Sequence, residues 1–326
     1  MPDSGDSMSE NIIEVENVTR KFRNTLAVNA LSLAVKRGEI LGLVGPDGAG
    51  KTTTLRLLAA IMDPTSGRVR VAGYDTVKEP EEVKKRIGYM PQQFSLYGDL
   101  SVKENLHFFA DIFGMGVGER GARIARLLAF SRLTEFQDRP AGKLSGGMQK
   151  KLALACCLLH QPELLLLDEP TTGVDSISRR EFWDILTELH LSGVTLVVTT
   201  PYMDEAERCS RVALMFQGRL IACDEPEVIR QRVAGDLIEV RTADLGRVRE
   251  AIRGLKGVLE IQTYGDLLHV IVSNGTEGIQ LITRELAERG IAAQDIRQTK
   301  PRLEDSFVSL IQKQVAEGPG GEVIGE

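Results

Sequence analysis

The sequence predicts an α/β protein with a helical subdomain inserted into a mostly parallel sheet, followed by a small α+β domain. Three observations carry that prediction. An almost wholly apolar run, Ile40–Val44, leads directly into a glycine-rich loop and a helix, as expected of a strand buried on both faces. A helical stretch at about 98–160 separates that run from two later strand-like runs, 164–167 and 195–199. Beyond about Pro226, short strands and helices follow in the order βαββαβ, the pattern of a split βαβ sandwich.

Taken in order, residues 12–18 and 27–35 read as short strands, and the turn Lys36-Arg37-Gly38-Glu39 delivers the chain into Ile40–Val44. A helix is expected at 52–60, stopped by Asp63-Pro64 ahead of a hairpin-like Ser66-Gly67. The inserted subdomain offers helices at 102–113, 122–130 and 149–159, and another helix, 178–190, lies between the two later strands. The C-terminal part gives strand 237–241, helix 245–255, strands 258–263 and 267–272, helix 279–288 and strand 292–298. A last amphipathic helix, 303–312, follows. The expected boundaries are a disordered tail at 1–10, a first domain at 11–226, a linker at 227–236, a second domain at 237–313 and a disordered tail at 314–326.

A length of 326 residues suits two domains, and 42% hydrophobic with 26% charged residues is ordinary for a soluble globular chain. The net charge of -6 argues against a general nucleic-acid binder, which needs a basic face. No apolar run approaches the roughly 18 residues of a spanning helix, and the polar, acidic start is unlike a signal peptide. Cys156, Cys157, Cys209 and Cys223 form no CxxC pair and read as reduced, buried thiols of a cytosolic protein. Any membrane spans must come from a partner.

Gly45-Pro46-Asp47-Gly48-Ala49-Gly50-Lys51-Thr52 matches GxxxxGK[ST] at every fixed position and lies between a strand and a helix, where phosphate binding requires it. Glycines let backbone N–H groups turn inward around phosphate oxygens, and the helix N-terminus adds its dipole. Lys51 is placed to set its ammonium on β/γ oxygens, and Thr52 to offer its hydroxyl to Mg2+. Leu164-Leu165-Leu166-Leu167-Asp168-Glu169 ends a strand in two carboxylates, Asp168 for Mg2+ and Glu169 for the attacking water. Leu144-Ser145-Gly146-Gly147-Met148-Gln149 is a second N–H-rich helix start, suited to a γ-phosphate. Its distance along the chain from Lys51 predicts a head-to-tail dimer, with each ATP held between one chain's phosphate loop and its partner's serine-glycine turn.

With these motifs together, residues 11 to about 226 resemble the nucleotide-binding subunits of ABC transporters. The resemblance implies a P-loop NTPase (RecA-like) core with an inserted helical subdomain, and ATPase activity with ATP and Mg2+ as ligands. Phe22 is similar to the aromatic that stacks on adenine, and the loop 45–52 with Thr53 to the phosphate cradle. Gln92, closing Gly88-Tyr89-Met90-Pro91-Gln92, is similar to the glutamine that senses Mg2+ and links to the membrane partner, and Asp175 in Gly173-Val174-Asp175 to the loop that crosses the dimer interface. The ending Pro301-Arg302-Leu303-Glu304-Asp305-Ser306-Phe307 and the small C-terminal domain resemble ATPase subunits of ABC-2-type exporters. That implies integral-membrane permease subunits and a second ATPase subunit as partners, and a cytoplasmic place on the inner face of the cell membrane. A soluble ABC ATPase of translation or repair is the rival; the first normally carries two nucleotide domains, and the second needs a long coiled coil between Lys51 and Ser145, for which there is no room. A regulatory ATP-binding module with little turnover stays open.

Two positions depart from the family. Where it places a histidine after the strand 195–199, this chain has Thr199-Thr200-Pro201, and none of the histidines at 107, 160, 190 and 269 replaces it. Pro201 reads instead as the first residue of a helix reaching 207, with Thr200 as its N-cap. Asp47 stands where asparagine is common, adding negative charge beside the phosphates. Together they predict an asymmetric pair, in which this chain's own site is slow and its Ser145-Gly146-Gly147 completes a faster site on a different subunit. The alternative is a homodimer in which Thr199, Thr200 or water takes the missing contact. Elsewhere, Gly114-Met115-Gly116-Val117-Gly118 reads as a flexible turn, Phe182 and Trp183 as core, and Lys150-Lys151 as a solvated helix start.

Overall fold

The computed structural model describes residues 10–93, 96–233 and 235–317, so most of both expected tails lies outside the described residues. The chain divides into two compact units between Cys223 and Asp224.

In the first unit, β1 (Asn11–Phe22) and β2 (Thr25–Lys36) pair antiparallel over their whole length, several residues longer than the sequence pattern indicated. The strand β3 (Ile40–Val44) is buried at all five positions and feeds α1 (Lys51–Leu58). Next, β4 (Ser66–Val71) and β5 (Tyr74–Asp75) complete an antiparallel sheet ordered β2-β1-β4-β5. After α2 (Pro80–Lys84) and β6 (Ile87–Met90) comes the helical block: α3 (Val102–Ile112), opened by a Ser101–Glu104 capping box, α4 (Val117–Phe130) and α5 (Gly146–Cys157). The expected turn around Gly116 is therefore a correction: Gly116 is the N-cap, and Val117 and Gly118 are already helical.

The chain continues through β7 (Leu164–Asp168), α6 (Ser176–Leu191), β8 (Thr195–Thr200), α7 (Met203–Ala206), β9 (Arg211–Phe216) and β10 (Arg219–Asp224). The six-stranded sheet runs β10-β9-β3-β8-β7-β6, and β9, β3, β8, β7 and β6 pair in parallel. Leucines and valines of β1, β2, β4, β3 and α1 share one core with Leu164, Leu166 and Val197. The parallel register matters most. Val44 lies beside Thr200, Asp168 beside Thr199 and Leu167 beside Met90. The carboxyl ends of four strands thus deliver the phosphate loop, the carboxylate pair, Thr199-Thr200 and Gln92 to one edge, the crevice where such sheets bind ligands.

The second unit opens with α8 (Pro226–Arg230), so the segment expected as a linker at 227–236 is partly helical; Pro226 presets the first turn. It continues through β11 (Asp236–Arg241), α9 (Leu245–Ile252), β12 (Val258–Tyr264), β13 (Leu267–Val272), α10 (Gly275–Glu288), β14 (Asp295–Thr299) and α11 (Leu303–Glu317). The antiparallel order β12-β13-β11-β14 is the split βαβ arrangement that the order of elements predicts. Ile238, Val240, Leu268 and Val270 share a core with Val248 and Ile252 of α9 and Ile282 and Leu286 of α10. His269, also on β13, is clasped to α11 by a 2.7 Å contact between its Nδ1 and Asp305 Oδ1. Among the described residues, no helix is long and apolar enough to cross a membrane.

Candidate nucleotide site

An open cleft of about 660 Å³ lies over the loop after β3, lined by Phe22, Asp47 through Thr53, Gln92 and Glu169, with Thr25, Leu26, Ala27 and Gln217 on its margin. The loop's shape follows from its glycines. Gly50 has φ of 100°, and a Cβ there would stand 2.3 Å from Ala27 O, so only glycine lets α1 start where it does. No side chain caps α1 and its first turn holds no acid, which leaves its N–H groups and its dipole for a ligand. Phe22, at the end of β1, is 38% exposed and carries the Arg20 guanidinium 4.6 Å from its ring centre. Asp47 is exposed in the cleft lining, whereas neither Pro46, which is exposed, nor Gly45, which is buried, lines it.

Lys51 is only 4% exposed; its Nζ donates to Gly45 O at 2.8 Å and Pro46 O at 3.1 Å, and lies 3.4 Å from Glu169 Oε1. Thr52 Oγ1 donates to Asp168 Oδ1 at 3.0 Å. Burial pushes the Asp168 carboxyl above its ordinary value, against the hydrogen bonds from Thr199 and Thr52. Glu169 adopts a left-handed φ of 46°, a conformation that costs on the order of 1–3 kcal/mol outside glycine. The turn directs its carboxylate to three partners: Lys51, the Gln92 Nε2 donor at 2.9 Å and the Thr172 Oγ1 donor at 3.3 Å. Hydroxyl and carboxylate oxygens of Thr52 and Asp168 are the hard donors that Mg2+ takes. Gln92, expected beside them, turns its amide nitrogen to Glu169 instead.

None of Ser145, Gly146 and Gly147 lines this cleft. Ser145 is the N-cap of α5, accepting from Met148 N at 3.3 Å, and Asp175 is the N-cap of α6, accepting from Ile177 N and Ser178 N. These two helix starts lie side by side: a Cβ on Gly147 would stand 2.5 Å from Ser178 Cβ.

The region after β8 corrects the sequence reading. α7 starts at Met203 with Tyr202 as N-cap, so Pro201 precedes the helix. Thr200 caps no helix; its hydroxyl accepts from Tyr202 N at 3.0 Å and donates to the buried Glu205 at 2.7 Å. Thr199 Oγ1 donates to Asp168 at 2.8 Å and accepts from Glu169 N at 2.8 Å. Both threonine hydroxyls are committed inside the fold. Lys150 and Lys151 are not a solvated start either: Lys151 is buried against Glu181, and Lys150 Nζ donates to Gln92 O at 2.9 Å. Nothing in the local pattern signals those two contacts, because Gln92 and Glu181 are remote in sequence. Phe182, Trp183, Cys156 and Cys157 are buried, as core residues should be.

The ABC transporter family pattern matches residues 28–172. The chain is 39% identical to a probable multidrug ABC transporter ATP-binding protein of Escherichia coli, over 93% of this chain and 53% of that one, so it spans about half of that relative. It is 35% identical to a daunorubicin resistance ATP-binding protein of Streptomyces coeruleorubidus, over 91% of this chain and 94% of the relative. Among solved structures, the dimeric post-hydrolysis state of the ATP-binding cassette MJ0796, bound to ADP and Pi, superposes with a TM-score of 0.60 at 28% identity, over 65% of this chain and 98% of that one. With relatives 35–39% identical along more than nine-tenths of this chain, a phosphate loop and carboxylate pair at the carboxyl ends of this sheet, and a serine-glycine start to α5, the protein belongs among the ATP-binding proteins of ABC transporters.

Proposed function

We propose that the chain is the ATP-binding and ATP-hydrolysing subunit of an ABC-2-type exporter, and the slower half of an asymmetric ATPase pair. The reading rests above all on one connected network: Lys51 and Gln92 on Glu169, and Thr52 and Thr199 on Asp168, beside one cleft. Phe22 offers a ring face to adenine, and the loop N–H groups with Lys51 neutralise the β/γ oxygens. Thr52 and Asp168 hold Mg2+, which when bound offsets charge on the triphosphate. Glu169, held by Gln92 and Thr172, orients the attacking water and accepts its proton. Ser145, Gly146 and Gly147 serve the opposite site in a head-to-tail dimer that closes on ATP and reopens after hydrolysis. Permease subunits supply the spans and hold the chain at the inner membrane face. The names of the relatives, daunorubicin resistance and probable multidrug transport, support export. The C-terminal unit, with its split βαβ sheet, serves dimerisation or regulation.

Asymmetry is favoured by the commitments of Thr199 and Thr200. Neither hydroxyl is spare to replace the imidazole that Pro201 lacks. Loss of one such electrostatic contact slows the chemical step by about a hundredfold or more. Turnover of the purified chain, compared with Pro201→His, tests this; a rise of at least about tenfold is expected. Brisk turnover by the chain alone, unchanged by the substitution, returns the homodimer.

A further inference from the structure

We propose that Lys150 is a positioning residue for hydrolysis, fixing the Gln92 backbone so that the Gln92 amide reaches Glu169. The inference rests on the functional reading above, in which Glu169 serves the attacking water. The strand β6 ends at Met90, and Pro91, having no N–H, cannot extend its ladder. Gln92 is exposed, so its position depends on what its own atoms bond to. Lys150, on the second turn of α5, reaches across to give its ammonium to Gln92 O at 2.9 Å, a charge-assisted bond between segments 58 residues apart. From the same residue, Gln92 Nε2 donates to Glu169 Oε2 at 2.9 Å, and Lys51 lies 3.4 Å from the other Glu169 oxygen. A fully solvated lysine would not make this carbonyl bond.

The arrangement has a second side. The first turn of α5 holds Ser145, Gly146 and Gly147, the residues read as seating on the partner's nucleotide. Lys150, one turn further along, therefore ties seating at the opposite site to the posture of Gln92 and Glu169 at its own.

The test uses the full chain with Mg2+ and ATP, comparing wild type, Lys150→Met and Lys150→Arg. Loss of a charged hydrogen bond predicts a fall in kcat of about tenfold to a hundredfold in Lys150→Met. KM and equilibrium ATP affinity should change by less than about twofold, since the lysine touches no substrate. Lys150→Arg, which keeps a cationic donor, should recover at least about half of the turnover. The proposal is overturned if Lys150→Met turns over like wild type, if kcat and ATP affinity fall together with the unfolding temperature, or if arginine rescues nothing. Should Lys150→Met not fold, Lys150→Gln replaces it, and failure of both variants to fold makes the residue structural and overturns the proposal. A wild-type chain that binds ATP without any turnover refutes the hydrolytic reading instead, before the variants are compared.

Discussion

Replacing Glu169 by glutamine separates chemistry from binding. Glu169 Oε1 and Lys51 Nζ lie 3.4 Å apart, with side chains 8% and 4% exposed. At an effective dielectric of about 20, charges at that distance attract by about 5 kcal/mol. Burying a carboxylate costs several kcal/mol, which the neutral glutamine no longer incurs. Lys51 also keeps its bonds to Gly45 O and Pro46 O. The net loss of stability in the nucleotide-free protein should therefore lie at or below the roughly 3–5 kcal/mol typical of breaking a buried ion pair. Turnover should fall by about a hundredfold to ten-thousandfold, the contribution of a positioned general base. ATP affinity should hold or tighten, because one negative charge beside the triphosphate is gone. Denaturant unfolding of the free protein, equilibrium ATP binding and steady-state phosphate release check the three statements. Turnover within about tenfold of wild type would refute the role given to Glu169.

Lys51→Ala should weaken Mg·ATP binding by about a hundredfold in equilibrium titration, since a buried cation on phosphate oxygens is lost; unchanged affinity would remove Lys51 from the site. Gly147→Ala should destabilise the chain by about 1–3 kcal/mol in urea, because the new Cβ would stand 2.5 Å from Ser178 Cβ. Adding Ser178→Gly should restore most of that loss, and an undisturbed single variant would contradict the close contact of the two helix starts. Burial pushes the Cys157 and Cys209 thiols up to about 12 and raises Cys156 well above its usual value, while Cys223 is half-buried. Alkylation of the folded protein at pH 8, followed by mass spectrometry, should accordingly label Cys223 first.

What the sequence made legible was local. The phosphate loop, the paired carboxylates and the serine-glycine helix start each lie in a short run whose spacing is set by chemistry. The order of elements in the C-terminal unit could be read because periodicity changes from strand to helix within it. Contacts between distant segments were not legible. Gly88 lies inside β6, where a Cβ would stand 2.5 Å from Leu165 Cδ2 and 2.9 Å from Cys157 O, a constraint set by segments remote in sequence. Lys150 looks like helix-surface charge until β6 and α5 bring Gln92 beneath it. The start of α7 was misplaced because Pro201 suits a first helical turn, while the Thr200 hydroxyl is drawn instead to Tyr202 N and Glu205.

The place of β3 between β8 and β9 also sets when the phosphate loop can exist during synthesis. Both neighbours are made long after β3 itself leaves the ribosome. Met215 O of β9 stands 2.2 Å from where a Cβ on Gly45 would be, so the late strand forms one wall of the early loop. A nascent chain carrying every residue of the loop and of the carboxylate pair would still lack the sheet that holds them. Such long-range parallel pairing closes slowly and leaves apolar strands waiting. Nucleotide binding is thus a late event in the life of the chain, and protein truncated ahead of Arg211 should carry the motifs without the affinity.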